Sequence, residues 1–243
     1  MTIVVVIPAF NESRTIAGVL QGCRGHAQES IVVDDGSWDD TALRAREQGA
    51  VVFMHLINRG YGAALRTGIE AALKRGADII VTIDADGQHE PAEIKNIIEP
   101  LKRGGVDMVI GNRFSAQSTR EGMSVLRKLF ITAGNILTWM LYGVWFSDTQ
   151  SGFRAYTRQA LEKVIDVGQN FRVSPREFPR ESALQAEGME FSSEVIGEAM
   201  RRGLTITTIP ITIRYTNYSL AKGQNFFEGV RTALRLFARR LLR

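Results

Sequence analysis

Short apolar runs alternate with stretches of helical spacing through the first half of the chain. Ile3–Ile7 reads as a buried strand, followed by a helix over Glu12–Cys23 with Ile16, Val19 and Leu20 on one side. Ile31–Val33 then Thr41–Gln48, and Val51–His55 then Tyr61–Lys74, repeat the strand–helix unit. A fourth strand over Asp78–Ile83 precedes a helix that opens near Pro91, where the missing N–H of proline costs nothing, and runs through Ala92–Lys102. Val106–Ile110 is the fifth strand. Units of this kind predict an α/β fold around a mostly parallel sheet.

The second half is less regular. It predicts a long helix over Met123–Leu141, a strand near Gly152–Tyr156, a helix near Ser193–Arg201 and a β-rich stretch over Thr205–Tyr215. Val167–Gly188 is polar and reads as a loop. From Phe226 to Arg243, Val230, Leu234, Phe237 and Leu241 share one helical face and Arg231, Arg235 and Arg239 another. One domain over residues 1–225 with an amphipathic basic tail over 226–243 is the economical division.

Composition changes this picture in three places. The formal net charge of +4 is not spread evenly: residues 229–243 hold five arginines and no acid, so everything before them sums to −1. That argues against a chain-wide nucleic-acid footprint. The single cysteine, Cys23, cannot form an internal disulfide, which points to a reducing cytosol. Leu129 to Phe146 carries no charge, but Thr132, Asn135, Thr138 and Tyr142 interrupt it, so a core or surface-lying helix is expected rather than a membrane span. The N-terminal MTIVVVIPAF lacks a basic leader and reads as a strand.

In an open parallel sheet, ligands bind outside the carboxyl ends of the strands. Five consecutive predicted strand ends carry polar groups: Asn11–Glu12, Asp34–Asp35–Gly36–Ser37, Asn58–Arg59–Gly60, Asp84–Ala85–Asp86–Gly87–Gln88 and Gly111–Asn112–Arg113. Turns and caps explain any one of them, but not so many carboxylates on one rim. There is no P-loop, and the first strand–helix turn, Pro8–Ala9–Phe10–Asn11–Glu12, lacks the glycines of a dinucleotide fingerprint. Without a glycine cradle, a diphosphate on an acidic rim needs a cation. Asp84 and Asp86 offer hard oxygen ligands for Mg²⁺ or Mn²⁺, and Gln88 could add a carbonyl. His89 reads equally well as a surface histidine.

The ordered motifs VVVIPAFNE, VVDDGS, NRGYGAA, DADGQH, IGNR and DTQSGFR resemble those of the family 2 glycosyltransferases, closest to the polyprenol-phosphate (dolichol-phosphate) mannosyl- and glucosyltransferases. The match is good over residues 1–160 and resumes weakly over Gly188–Lys222. The resemblance implies the GT-A nucleotide-diphospho-sugar transferase fold, a divalent metal and inversion at the anomeric carbon. It puts Pro8, Ala9, Asn11 and Glu12 in the nucleotide pocket, with Asp35 at the base and Arg66 and Ala85 among the donor contacts. Asp84 is placed beside the donor phosphates, and Asp86 and Gln88 at the metal. Arg113 and Arg127 fall where that branch holds its acceptor phosphate, and Lys222 where it closes a lysine over the diphosphate. Departures are Ile131, with Thr132 beside it, where the branch has serine, and Thr216 where it has arginine, with only Arg214 to substitute.

A lipid phosphate is already anionic and needs holding rather than deprotonating, whereas a sugar hydroxyl needs a base, for which Asp148 is the candidate. The expected activity is therefore hexosyl transfer from GDP-mannose or UDP-glucose to a polyprenyl phosphate. The alternative is a family 2 transferase acting on a sugar hydroxyl in polysaccharide or glycan synthesis. The expected partners are a nucleotide-sugar donor, a lipid-phosphate acceptor and, through the tail and the Trp139/Trp145 segment, the cytoplasmic face of a membrane.

Overall fold

The computed structural model describes residues 1–121, 125–143, 145–165, 188 and 191–215. The chain runs β1 (Ile3–Ala9), α1 (Ile16–Cys23), β2 (Glu29–Asp34), α2 (Thr41–Glu47), β3 (Val51–Met54), α3 (Tyr61–Lys74) and β4 (Ile79–Thr82). A 3₁₀ turn at Pro91–Glu93 leads into α4 (Ile94–Arg103), then β5 (Met108–Asn112), β6 (Arg120–Glu121) and α5 (Val125–Tyr142). The remainder is β7 (Arg154–Thr157), α6 (Arg158–Val164), α7 (Phe191–Arg201), β8 (Ile206–Pro210) and β9 (Ile213–Arg214).

A seven-stranded sheet has the order β3-β2-β1-β4-β7-β5-β8. Its pairs are parallel except those of β7, which lies antiparallel between β4 and β5. The order reverses between β1 and β4, so a crevice opens at the carboxyl ends of those two strands. β6 and β9 form a separate two-stranded parallel ladder.

Every residue of β1 is buried because helices cover both sheet faces. Val4, Val6, Ile31, Val33 and Ile80 pack with side chains of α3, α6 and α7. The alternate residues Ile3, Val5, Ile7, Val32 and Ile79 pack with α1 and α4. This is why these strands read as continuous apolar runs. Pro8 sits in this central strand without breaking a ladder on the β4 side, since β1 pairs with β4 only through Val6. Gly68 lets α3 lie flat on the sheet: a Cβ there would strike Val6 and come within 3.1 Å of Val33.

Most elements fall where the hydrophobic pattern placed them, and Tyr61–Lys74 agrees at both ends. α6 was not anticipated. Its signal is the cap, Thr157, whose hydroxyl accepts from Ala160 N at 3.1 Å. The helix after β1 starts at Ile16 rather than Glu12, because Asn11 takes a positive φ of 55° and Glu12–Thr15 turns before winding. The 167–187 segment, residues 226–243 and Lys222 lie outside the described residues, so the expected loop, basic helix and lysine do too. Among the described residues no helix is long and apolar enough to cross a membrane.

Candidate active site at the carboxyl edge of the sheet

The loops after β1 and β2 are laced together. Asn11 N donates to Ser37 Oγ at 2.8 Å, and Trp38 N donates to Asn11 Oδ1 at 3.0 Å. Glu12 N donates to Thr41 Oγ1 at 2.7 Å. Asparagine tolerates the left-handed conformation this requires at Asn11. The result is a fixed edge in which Pro8 and Ala9, buried, end β1, and Asn11 and Glu12 form the rim beyond it.

Asp35, expected at the nucleobase, does not present a free carboxylate. It is buried, with Oδ1 accepting from Arg59 N at 2.9 Å and Oδ2 from Gly60 N at 2.7 Å. His55 Nδ1 stands 2.6 Å from Oδ1, and His55 Nε2 lies 2.9 Å from Thr67 Oγ1. Asp35 therefore ties the end of β2 to the loop between β3 and α3. Its neighbour Asp34 is also buried and accepts from Ser37 N at 2.8 Å, while its Oδ2 has no partner.

The chemistry of the β4 end is different. Tyr61, the first residue of α3, donates its hydroxyl to Asp84 Oδ1 at 3.0 Å. His89 Nε2 stands 3.4 Å from Asp84 Oδ2. His89 is buried against Phe153, with ring centroids 5.5 Å apart, and its Nδ1 has no partner. This corrects its reading as a surface histidine: β9 bridges to it and closes it in. Gly152 packs so closely that a Cβ there would collide with the Asp84 carboxylate and lie 2.6 Å from the Tyr61 hydroxyl. Arg154 fixes this approach from behind by donating to the carbonyls of Ser151, Ser192 and Thr149 at 2.8, 2.8 and 2.6 Å.

Burial raises the Asp84 carboxyl, but His89, Tyr61 and Arg113 overcome it and hold the group below the ordinary aspartate value. Asp86 goes the other way. Burial first, and then the charge of Asp84, push it up to about 6. Two carboxylates that raise each other's cost in a crevice are a cation-seeking arrangement. Gln88 supports Asp86, donating from its backbone N at 3.0 Å and from its side-chain amide at 2.5 Å. Among the described residues, no three His, Cys, Asp or Glu side chains gather around one point. The donor set thus fits an ion held by one or two carboxylates with the remaining positions left to phosphate and water, as Mg²⁺ prefers.

The β5 end carries Arg113, and here the charge is already paired. Arg113 Nε and Nη2 donate to Asp148 Oδ2 and Oδ1 at 2.7 and 2.6 Å, and Arg113 N adds 2.8 Å to Oδ2. Both residues are buried, Asp148 completely. Burial would lower the Arg113 guanidinium, yet Asp148 and the nearby Tyr215 raise it above its ordinary value. Asp148 was the candidate base for a hydroxyl acceptor. Its carboxylate is fully buried and already engaged by the Arg113 fork. Asn135 of α5 fixes the same loop, donating to Ser147 O at 2.6 Å and accepting from Thr149 N at 2.9 Å.

Arg66 lies half-buried on α3, and Ala85 is buried between the two site aspartates in sequence. Arg127 belongs to α5. Arg214 donates to Glu90 Oε2 at 2.9 Å. Ile131 is buried and Thr132 donates to Lys128 O at 2.9 Å.

This sheet order, with helices on both faces, is that of the GT-A glycosyltransferase fold. The chain belongs to glycosyl transferase family 2, whose profile matches residues 4–165. It is 31% identical over 252 residues to the UDP-N-acetylglucosamine–dolichyl-phosphate N-acetylglucosaminyltransferase of Methanococcus voltae, covering 96% of this chain and 94% of that one. It is 30% identical to the polyprenol monophosphomannose synthase of Mycolicibacterium smegmatis, covering 93% of this chain and 83% of the relative. The fold is similar to the crystal structure of glucosyl-3-phosphoglycerate synthase from Mycobacterium tuberculosis with Mn²⁺, uridine diphosphate and phosphoglyceric acid. That likeness has a TM-score of 0.69 at 24% identity, over 99% of this chain and 77% of the other. The protein is a glycosyltransferase.

Proposed function

We propose that the enzyme transfers a hexose, with inversion, from a nucleotide sugar to the phosphate of a polyprenol. The observation that carries the acceptor is the Arg113–Asp148 fork. It engages Asp148, the carboxylate considered as base for a hydroxyl acceptor, and fixes a cation at the end of β5. A phosphate monoester needs such a cation and no base. The relatives named for dolichyl and polyprenol phosphates support the same reading.

In this reading Pro8, Ala9, Asn11 and Glu12 line the nucleoside, and Asp35 shapes its pocket through the loop it anchors. Arg66 and Ala85 lie along the donor. A divalent ion held by Asp84, Asp86 and the carbonyl of Gln88 would offset charge on the departing nucleoside diphosphate. Tyr61 and His89 hold Asp84 in place for this, and Gly152 leaves the room it needs. Arg113 and Arg127 bind the acceptor phosphate, and Lys222 closes on the diphosphate. The Trp139/Trp145 segment and the arginine-rich tail meet the cytoplasmic surface of the membrane.

The test is incubation with GDP-mannose, UDP-glucose or UDP-N-acetylglucosamine, Mg²⁺ and a short-chain polyprenyl phosphate. Label from one donor should partition into chloroform. If every donor fails with lipid phosphate while one glycosylates a sugar hydroxyl, the acceptor assignment is wrong.

A further inference from the structure

The loop between β3 and α3 is tied down at its base and apolar at its tip. His55 N donates to Asp34 O at 2.9 Å, and Arg59 N and Gly60 N are both held by Asp35. Gly36 packs against the same segment so closely that a Cβ would lie 2.8 Å from Asn58 N. Between these anchors Leu56 is 101% and Ile57 72% exposed. Trp38, in the neighbouring loop, is 82% exposed and rests edge-on against Phe10 with centroids 5.2 Å apart. Water-facing leucine and isoleucine on a fixed backbone are not the product of a slack loop.

The position and charge of this tip select its partner. It projects from the carboxyl edge of the sheet, the edge that carries Asp84, Asp86 and Arg113. Three strand spacings separate β3 from β4, about 14 Å. At the other end of that edge, α5 exposes Leu129, Ile136, Trp139 and Met140 and is joined to the β5 corner through Asn135. Apolar side chains therefore flank the site on both sides. Residues 48–69 contain no acid and include Arg59, which suits an anionic lipid surface, while Asp39 and Asp40 follow Trp38 on the neighbouring loop. A narrow two-residue tip with an adjacent tryptophan suits the headgroup boundary better than it suits a flat protein interface.

We propose that Leu56, Ile57 and Trp38 insert into the bilayer that contains the acceptor, as a second membrane contact opposite α5. This rests on the lipid-phosphate reading of the site. The membrane is then held at both ends of the carboxyl edge, with the acceptor phosphate presented between them.

Of the three tryptophans in the chain, Trp139→Phe and Trp145→Phe leave Trp38 as the only one. The full chain carrying both changes is mixed with vesicles of phosphatidylcholine and phosphatidylglycerol, some with brominated acyl chains. Trp38 emission should shift to the blue and be quenched by the brominated lipid. Leu56→Ser with Ile57→Ser should weaken vesicle binding about tenfold or more, without lowering the unfolding temperature. Trp38 emission that stays unmoved while the chain sediments with vesicles overturns the proposal. So does blue emission without vesicles accompanied by a doubled mass in light scattering, which would mean that a second copy covers the tip. Chloroform-extractable product formed in detergent with Trp38 unmoved on vesicles defeats insertion alone. Insertion without any lipid product defeats the acceptor reading alone.

Discussion

The two charged corners of the carboxyl edge are built on opposite principles. At the β5 end, Arg113 and Asp148 form a buried two-bond fork. At the β4 end, Asp84 and Asp86 lie two residues apart, steadied by Tyr61, His89 and Gln88 and by the more distant charge of Arg113, with no arginine or lysine paired to either by a hydrogen bond among the described residues. A buried counter-ion fixes the direction of a charge, as Asp148 does for the Arg113 guanidinium, whereas two carboxylates without one invite a cation. This difference supports the proposal that the β4 carboxylates meet a cation and donor while Asp148 orients Arg113.

The sharpest way to break this contrast is to remove one member from each corner. Asp86→Ala should leave the fold intact and lower kcat/KM by about 10³ or more, roughly 4 kcal/mol of barrier. Steady-state rates across a Mg²⁺ titration check it; a variant that keeps the wild-type metal response would contradict the assignment. Asp148→Asn should do the reverse in kind. It strands a buried guanidinium, which costs about 3 kcal/mol of stability and lowers Tm by roughly 6–12 °C. Replacing both partners, Arg113→Met with Asp148→Leu, should recover most of that stability and none of the activity. If Asp148→Asn instead keeps its Tm and loses most of its kcat, Asp148 is a base and the acceptor is a hydroxyl.

Gly152→Ala probes the β4 corner more gently. The added methyl meets the Asp84 carboxylate and the Tyr61 hydroxyl, while the surrounding loop stays anchored by Arg154. Displacing Asp84 by a fraction of an ångström should lower kcat about 10- to 100-fold, or roughly 1.4–2.7 kcal/mol. Far-ultraviolet circular dichroism should be unchanged. A variant with normal rates would show that Asp84 does not need its present position.

Much of this arrangement was legible from residue patterns. The parallel strands announced themselves because both sheet faces are covered, which makes Ile3–Ile7 and Ile79–Val81 wholly apolar, and the polar strand ends marked the carboxyl edge on which the candidate site lies. Three things were not legible, each for a physical reason. β7 lies antiparallel between β4 and β5, a pairing decided by long-range contacts that local periodicity does not encode. The burial of His89 depends on β9, more than a hundred residues later. The partners of Asp35, at a strand end, and of Asp148, in the loop before β7, arrive from other elements, so in the sequence each acid looked the same whether it was engaged or free. NRGYG did carry a readable tyrosine, but nothing local revealed that Tyr61 reaches Asp84.

The smallest effect concerns the β4 corner without its cation, and its sign runs against habit. An aspartate that gains partners on folding has a depressed value, and its stabilisation is lost as pH falls. Asp84 follows that rule, so its contribution disappears only below its unfolded value of about 4. Asp86 is raised to about 6, which means the folded chain binds its proton more tightly than the unfolded chain does. Stability of the metal-free protein should therefore decline as pH rises from about 4 to about 6 and level off above that, by about 1–3 kcal/mol. Asp86→Asn should remove the decline and raise the metal-free Tm at pH 7 by a few degrees, about 2–4 °C per kcal/mol. Mn²⁺ with a nucleoside diphosphate should stabilise the wild type at pH 7 and do little for Asp86→Asn. Chemical denaturation at pH 4.5, 6 and 7.5 in a chelator measures the decline directly. If stability rose over this interval by an amount that Asp86→Asn abolished, Asp86 would be satisfied like Asp148, and the contrast between the two corners would be lost.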